Sequence, residues 1–209
     1  MKLVDIIIIK YGLPELEAEC VKSVLDYTYM PYHLTVYDNY VKDEYLSVVW
    51  NRLIRQSTAD YICLLNNDTR VENMWIDKLV GTLGLHPELG VVGPVTNRCA
   101  GPQNGFNKAV NRPIQFVKYL SGFCCVFPKK VWEVVGGFNE EYVLYGEDSE
   151  FFDEVRRKGY KLAVQPDVFI FHHRSQSKKV AEKRGKNIDK IRHKSNEKYE
   201  RRKKERKAK

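Results

Sequence analysis

No stretch of this 209-residue sequence approaches the roughly 18 consecutive apolar residues of a membrane-spanning helix; the run from Ile6 to Ile9 is far too short. Met1-Lys2 followed directly by Asp5 also lacks the architecture of a signal peptide. Cysteine is scarce and odd in number: Cys20, Cys63, Cys99, Cys124 and Cys125 contain no Cys-x-x-Cys pair, and three of them sit inside apolar runs. That usage argues against a zinc site and for a reduced, cytoplasmic setting. A Gly-rich phosphate loop with a following Lys or Arg is missing after the first apolar run, where Tyr11-Gly12-Leu13-Pro14 stands instead, a segment poorly suited to cradle a triphosphate. There is no internal repeat.

What is present is 43% hydrophobic and 12% aromatic, enough to bury one good core with an appendage. Charge locates the appendage. From Arg174 to Lys209 there are 17 Lys/Arg and 5 Asp/Glu, which leaves 18 and 22 for residues 1 to 173 out of totals of 35 and 27. The body is therefore about −4 and the tail about +12 by this count, so the high pI describes the tail.

Along the chain, Leu3 to Ile9 is nearly continuous and β-branched, as a strand covered on both faces would be. Pro14 suits a first helical turn, and Leu16, Cys20, Val24 and Leu25 follow at helical spacing. A short strand over His33 to Tyr37, a helix over Tyr45 to Gln56 and a strand from Tyr61 complete the alternation of a doubly wound, largely parallel sheet. A further helix starts near Met74 with Asn73 as its N-cap, and a strand covers Gly90 to Val95. Asn97 to Asn111 reads as a surface loop. Strand character returns over Gln115 to Phe127, including Ser121-Gly122. Pro128 opens a short helix that Gly136-Gly137 closes, a helix follows Tyr145 to Glu150 and stops at Gly159, and a strand over Asp167 to Phe171 delivers His172-His173.

Chemistry concentrates where apolar runs end. Tyr61-Ile62-Cys63-Leu64-Leu65 stops in Asn66-Asn67-Asp68, and the crevice beyond strand carboxyl ends is where open α/β sheets bind ligands. Read alone, these three polar residues fit a simple turn equally well. Glu147-Asp148-Ser149-Glu150 reads alone as a solvated helix start, with the helix dipole favouring an ionised Asp148. Together with Asp38 and His172, however, Asp68 and Asp148 form a set suited to Mn2+ or Mg2+ bridging phosphate oxygens, with a second carboxylate as general base. That is a layout for glycosyl or nucleotidyl transfer.

The order of motifs from about Val4 to Ser177 resembles the family 2 glycosyltransferases of GT-A fold, in particular their rhamnosyltransferase-like branch. The motifs are Ile6 to Tyr11, Tyr37-Asp38-Asn39, Asn51, Leu64 to Thr69 at the place of an Asp-x-Asp element, Ser121-Gly122-Phe123, Val135 to Glu140, Tyr145-Gly146-Glu147-Asp148, Gly159-Tyr160 and His172 five residues before Ser177. The resemblance implies a Rossmann-like, mostly parallel sheet flanked by helices over residues 1 to 177; the charge count adds a basic helical or disordered tail over 178 to 209. It implies a metal-dependent inverting transferase that moves a sugar from a nucleotide-diphosphate donor to a hydroxyl of a glycan, lipid-linked or small-molecule acceptor, as in polysaccharide biosynthesis.

Carried over by position, Tyr11, Asp38, Asn51, Asn66, Asn67 and Asp68 would bind donor, and Asp68 and His172 would hold Mn2+ or Mg2+. Asp148 would be the base with Glu147 beside it, and Gly122, Phe123 and Tyr145 would line the acceptor side. Asn66 in place of an acid, Glu154 where an arginine is usual, Gly12 and the Tyr40 to Glu44 segment depart from the pattern. A degenerate fold acting as a binding module and a nucleotidyltransferase remain as alternatives. The tail reads as a solubilising appendage, as an electrostatic anchor to anionic membrane, or, lacking aromatics for base stacking, least well as a nucleic-acid binder. As an appendage, its removal after Ser177 is expected to leave donor binding intact.

Overall fold

The computed structural model describes residues 2–99, 101–105, 112–174 and 176–207. Of the loop read over Asn97 to Asn111, Ala100 and residues 106–111 lie outside the described residues, as do the last two residues of the tail.

The elements in order are β1 (Val4–Lys10), α1 (Pro14–Tyr27), β2 (Tyr32–Asp38), α2 (Leu46–Gln56), β3 (Tyr61–Asn66), β4 (Thr69–Arg70), α3 (Trp75–Leu85) and β5 (Leu89–Thr96). They continue with β6 (Gln115–Val117), β7 (Cys124–Pro128), α4 (Lys129–Val135), α5 (Glu147–Arg157), β8 (Lys161–His172), α6 (Gln176–Lys183) and α7 (Ile188–Lys207). The sheet runs β2-β1-β3-β7-β5-β8-β4, with β6 pairing the side of β8. β2, β1 and β3 are mutually parallel, β5 is parallel to β8, and β7 is inserted antiparallel between β3 and β5. The five longer strands thus finish at the same edge, and the cleft lies there.

Two apolar layers explain the uninterrupted hydrophobicity of β1 and β3. Ile6, Ile8, Cys63 and Leu65 pack with Cys20 and Val24 of α1 and Trp75 and Leu79 of α3 on one face. Ile7, Ile9, Ile62 and Leu64 meet Val49 and Ile54 of α2, Val131 of α4 and Phe151 of α5 on the other. Each such fully buried side chain contributes about 1.5–3 kcal/mol.

Three local readings are corrected. Asn73 does not cap α3; Met74 takes that place in a left-handed conformation, with φ 59 and no side-chain cap. Strand pairing does not run through Ser121-Gly122: β6 lies on the outside of β8, β7 lies between β3 and β5, and the turn between them carries Gly122. The strand read over Asp167 to Phe171 is the second half of the longer β8. Its register against β5 jumps from Pro94 opposite Gln165 to Val95 opposite Phe169, which accommodates Pro166.

The C-terminal segment is helical and lies on the body. Ala181 and Ile188 are buried, and the rest of its attachment is polar. Arg202 Nε meets Glu150 Oε1 at 2.8 Å, Arg206 NH1 meets Glu154 Oε1 at 2.6 Å, and the Ser195 hydroxyl donates to Leu144 O at 2.8 Å.

Candidate active site

A cavity of about 370 Å³ opens at the carboxyl ends of β1 and β3 and is lined by Tyr11, Asn66, Asn67, Asp68, Asp148 and His172, among others. Residues far apart in sequence thus share one space.

Asp68 and His172 are brought together by β4. Its antiparallel pairing sets Thr69 opposite His172, and the His173 N–H donates to Asp68 O at 2.9 Å. The side chains follow: His172 Nε2 lies 3.1 Å from Asp68 Oδ1, both largely buried, and the His172 ring stacks on Phe123 at 5.2 Å. His173 turns the other way, to Glu19 Oε2 at 3.2 Å. Asn67 is fixed by two partners, donating to Glu17 Oε1 at 3.0 Å and accepting from the Ser177 hydroxyl at 3.2 Å. Glu17 is itself buried and accepts from the Tyr11 and Leu13 N–H groups at 2.8 and 3.0 Å, so it caps α1 and locks it to the strand ends.

Among the described residues there is no group of three or more His, Cys, Asp or Glu side chains that could hold a metal ion. Asp68 and His172 therefore fit a divalent cation only as a two-donor open site, of the kind Mg2+ uses when substrate phosphates and water complete the shell.

Asp148 sits at the first turn of α5, behind the Gly146 N-cap. The Ser149 N–H donates to its Oδ1 at 2.7 Å, and a Cβ at Gly122 would stand 2.7 Å from its Oδ2. The helix dipole does not win here. Burial raises the Asp148 pKa despite hydrogen bonds from Ser149 and Gly122, so the carboxylate is a stronger base than its position at a helix N-terminus suggests. Glu147 is buried, its Oε2 has no hydrogen-bond partner among the described residues, and burial followed by the Asp148 charge pushes it up to about 8. Glu147 thus lines the cavity with one carboxyl oxygen unpartnered. Tyr145, with φ 67, also lines the cavity, under the Arg192 guanidinium at 4.6 Å.

Two of the candidate residues, Asp38 and Asn51, do not line the cavity. Asp38 points to solvent, its side chain 60% exposed, pairing with Lys10 and accepting from the Tyr40 N–H; Asn39 lines the cavity in its place. Asn51 is buried and fully used, bonding both backbone groups of Phe138 along with Glu140 and Trp132, so it pins the loop after α4 to α2. Phe123 lines the cavity, is 2% exposed and stacks on His172. Conversely, Glu17, Asp43 and the cavity-lining cations Arg174, Lys178, Lys186 and Arg192 were not singled out by pattern. Glu17 carried the one available signal, an acid in the first turn of a helix that begins at the cleft.

No protein-family model matches the chain. The N-acetylglucosaminyl-diphospho-decaprenol L-rhamnosyltransferase of Mycobacterium tuberculosis is 29% identical over 94 residues, 45% of this chain and 30% of that protein. The O-antigen biosynthesis protein RfbC of Myxococcus xanthus is 24% identical across 62% of this chain and 12% of its own length. The matched stretch thus spans under a third of either relative. Among solved structures, a mannosyltransferase of Pyrobaculum calidifontis in complex with GDP-Man and Mn2+ superposes with a TM-score of 0.63 at 15% identity, covering 81% of this chain and 56% of that one. The fold is that of GT-A glycosyltransferases, and the resemblance to family 2 read from the motif order is borne out.

Proposed function

We propose that this chain is an inverting glycosyltransferase that takes its sugar from a nucleoside-diphosphate donor. The observation that carries the reading is the meeting of Asp68, His172 and Asp148 in one cavity at the carboxyl ends of the strands, on a fold shared with nucleotide-sugar enzymes. In this reading the donor diphosphate lies against Asp68 and His172, and Tyr11 and Asn39, which line the same cavity, are assigned to the nucleoside. A divalent cation held by Asp68 and His172 would neutralise charge developing on the departing diphosphate.

The remaining steps fall to side chains. The acceptor hydroxyl oxygen attacks the anomeric carbon as the bond from that carbon to the diphosphate oxygen breaks, through an oxocarbenium-like transition state. The hydroxyl proton passes to an Asp148 oxygen, and the nucleoside diphosphate leaves. Asp148 must be ionised to accept it, and its raised pKa makes it the better base once ionised. Gly122 leaves the room in which that carboxylate sits. Glu147, holding a proton near neutral pH, can donate through its unpartnered oxygen to a sugar hydroxyl.

The test is a thermal-shift panel of UDP, GDP, dTDP and CDP with and without Mn2+, on wild type, Asp68→Ala and Asp148→Asn. A diphosphate at a hundred times its dissociation constant stabilises by about 2.7 kcal/mol. Stabilisation of wild type and Asp148→Asn, with transfer lost in Asp148→Asn, is the expected result. Active Asp148→Asn would remove that residue from the base role. Binding without turnover on any acceptor would leave a nucleotide-binding module.

A further inference from the structure

The segment after β8 brings four cations to the wall of the cavity: Arg174, Lys178, Lys186 and Arg192. The same wall carries five carboxyls, Asp43, Glu44, Asp68, Glu147 and Asp148, so what matters is which cations they leave unpaired. Asp43 is taken by Lys186 at 2.5 Å, Glu44 by Arg52 at 2.6 Å, and Asp68 faces His172. Burial holds Glu147 toward its neutral form. Arg174 and Arg192, both exposed, have no carboxylate within ion-pair distance among the described residues, and Arg192 rests on the Tyr145 ring. Lys178 meets Glu182 at 3.4 Å and Asp189 at 3.7 Å, both outside the cavity wall, and Asp189 is 82% exposed. Arg174 is held with φ 56, an uncommon backbone for a residue with a side chain. α6 begins at this wall, with Ser177 tied to Asn67.

Of the four, Arg174, Lys178 and Arg192 thus pair with no carboxyl of the wall, and cations that line a cavity without a partner there attract an anion. Asn66, where an acid would add negative charge, tilts the balance further in the same direction. Resting on the donor reading above, we infer that Lys178 and Arg192, with Arg174, bind the donor diphosphate and supply part of its counter-charge directly from the basic C-terminal segment. The segment is then part of the donor site. This reverses the expectation that deleting everything after Ser177 leaves donor binding intact.

Isothermal titration of the full chain with UDP, GDP, dTDP and CDP, and with the parent nucleosides, tests this in EDTA and in Mn2+, at low and high NaCl. The proteins are wild type, Asp68→Ala and the double variant Lys178→Gln with Arg192→Gln, whose folding is checked by thermal melting. The double variant is expected to bind the preferred diphosphate about tenfold or more weakly, the loss of charge-assisted hydrogen bonds, and with a shallower salt dependence. Its affinity for the nucleoside should be unchanged, and wild type should keep diphosphate affinity in EDTA. Wild-type affinity and salt dependence in the double variant would overturn the inference while leaving the transferase reading in place. An equal loss of nucleoside affinity would overturn it too, since counter-charge acts on the phosphates. If wild type binds none of the diphosphates, the transferase reading falls with it.

Discussion

Glu147 and Asp148 are neighbours whose carboxyls both titrate high, and the consequences differ in kind. For Glu147 the consequence is stability. Its folded pKa of about 8 exceeds the ordinary carboxylate value, so across that interval the folded state holds a proton that the unfolded chain has released. The contribution is fully present below the ordinary carboxylate pKa and is lost as pH rises through about 8. Melting temperature should therefore fall between mildly acidic and mildly alkaline pH, and fall less in Glu147→Gln. An equal decline in that variant would assign the effect to other groups. For Asp148 the consequence is catalytic, and it depends on Gly122. Gly122→Ala places a methyl 2.7 Å from Asp148 Oδ2, so the carboxylate must move. We expect turnover to drop by about 10- to 100-fold, as catalytic misplacement of about an ångström does, with diphosphate binding retained. Unchanged turnover would show that Asp148 acts from another rotamer.

At the scale of elements, α5 presents its N-terminus to the cleft because of how it lies on β5. Gly90 makes that approach close: a Cβ there would stand 2.4 Å from Val155 Cγ1 and 2.8 Å from Tyr160 Cβ. Gly90→Ala should lift α5 and cost about 1–3 kcal/mol in denaturant unfolding, the usual penalty of overpacking. A loss of only a few tenths would mean that α5 yields locally. The same element shows what the sequence could and could not say. Phe151, Phe152 and Val155 at helical spacing marked its buried face, and the apolar runs marked β1 and β3, because burial on a regular element leaves a period. The Asp68 and His172 pairing was legible as motif order, each residue standing at the end of its own strand. Asp38 and Asn51 lie outside the cavity lining, which motif order could not show: order along the chain does not say whether a side chain meets ligand or braces the residue that does. Glu17 and Asp43 left no period and belong to no motif quoted from the chain; they act through partners 50 and 143 residues away.

For the whole molecule, the charge split of about −4 and +12 bears on how the C-terminal segment meets the body. Counted alone, the tail has too few apolar residues to offset ordering entropy, and that reading leaves open a solvated helix or disorder. It omitted the acids waiting on the body. Glu150 is buried with Tyr142, Arg202 and Arg206 around it, Glu154 takes Arg206, Asp153 takes the Tyr199 hydroxyl, and Asp43 takes Lys186. Many of the participating cations are partly exposed, so each pair is worth little singly and is open to screening. The Debye length falls from about 10 Å at 0.1 M to about 3 Å at 1 M ionic strength. α7 should therefore loosen with salt while the sheet, held by apolar contacts, does not. Amide hydrogen exchange at the two ionic strengths checks this: residues 188–207 should exchange faster in high salt, and β1, β3 and β5 at an unchanged rate. If α7 keeps its protection, Ile188, Ala181 and the Ser195 hydrogen bond hold it without charge. If diphosphate restores the protection lost in high salt, the helix and the donor are coupled through the cations they share.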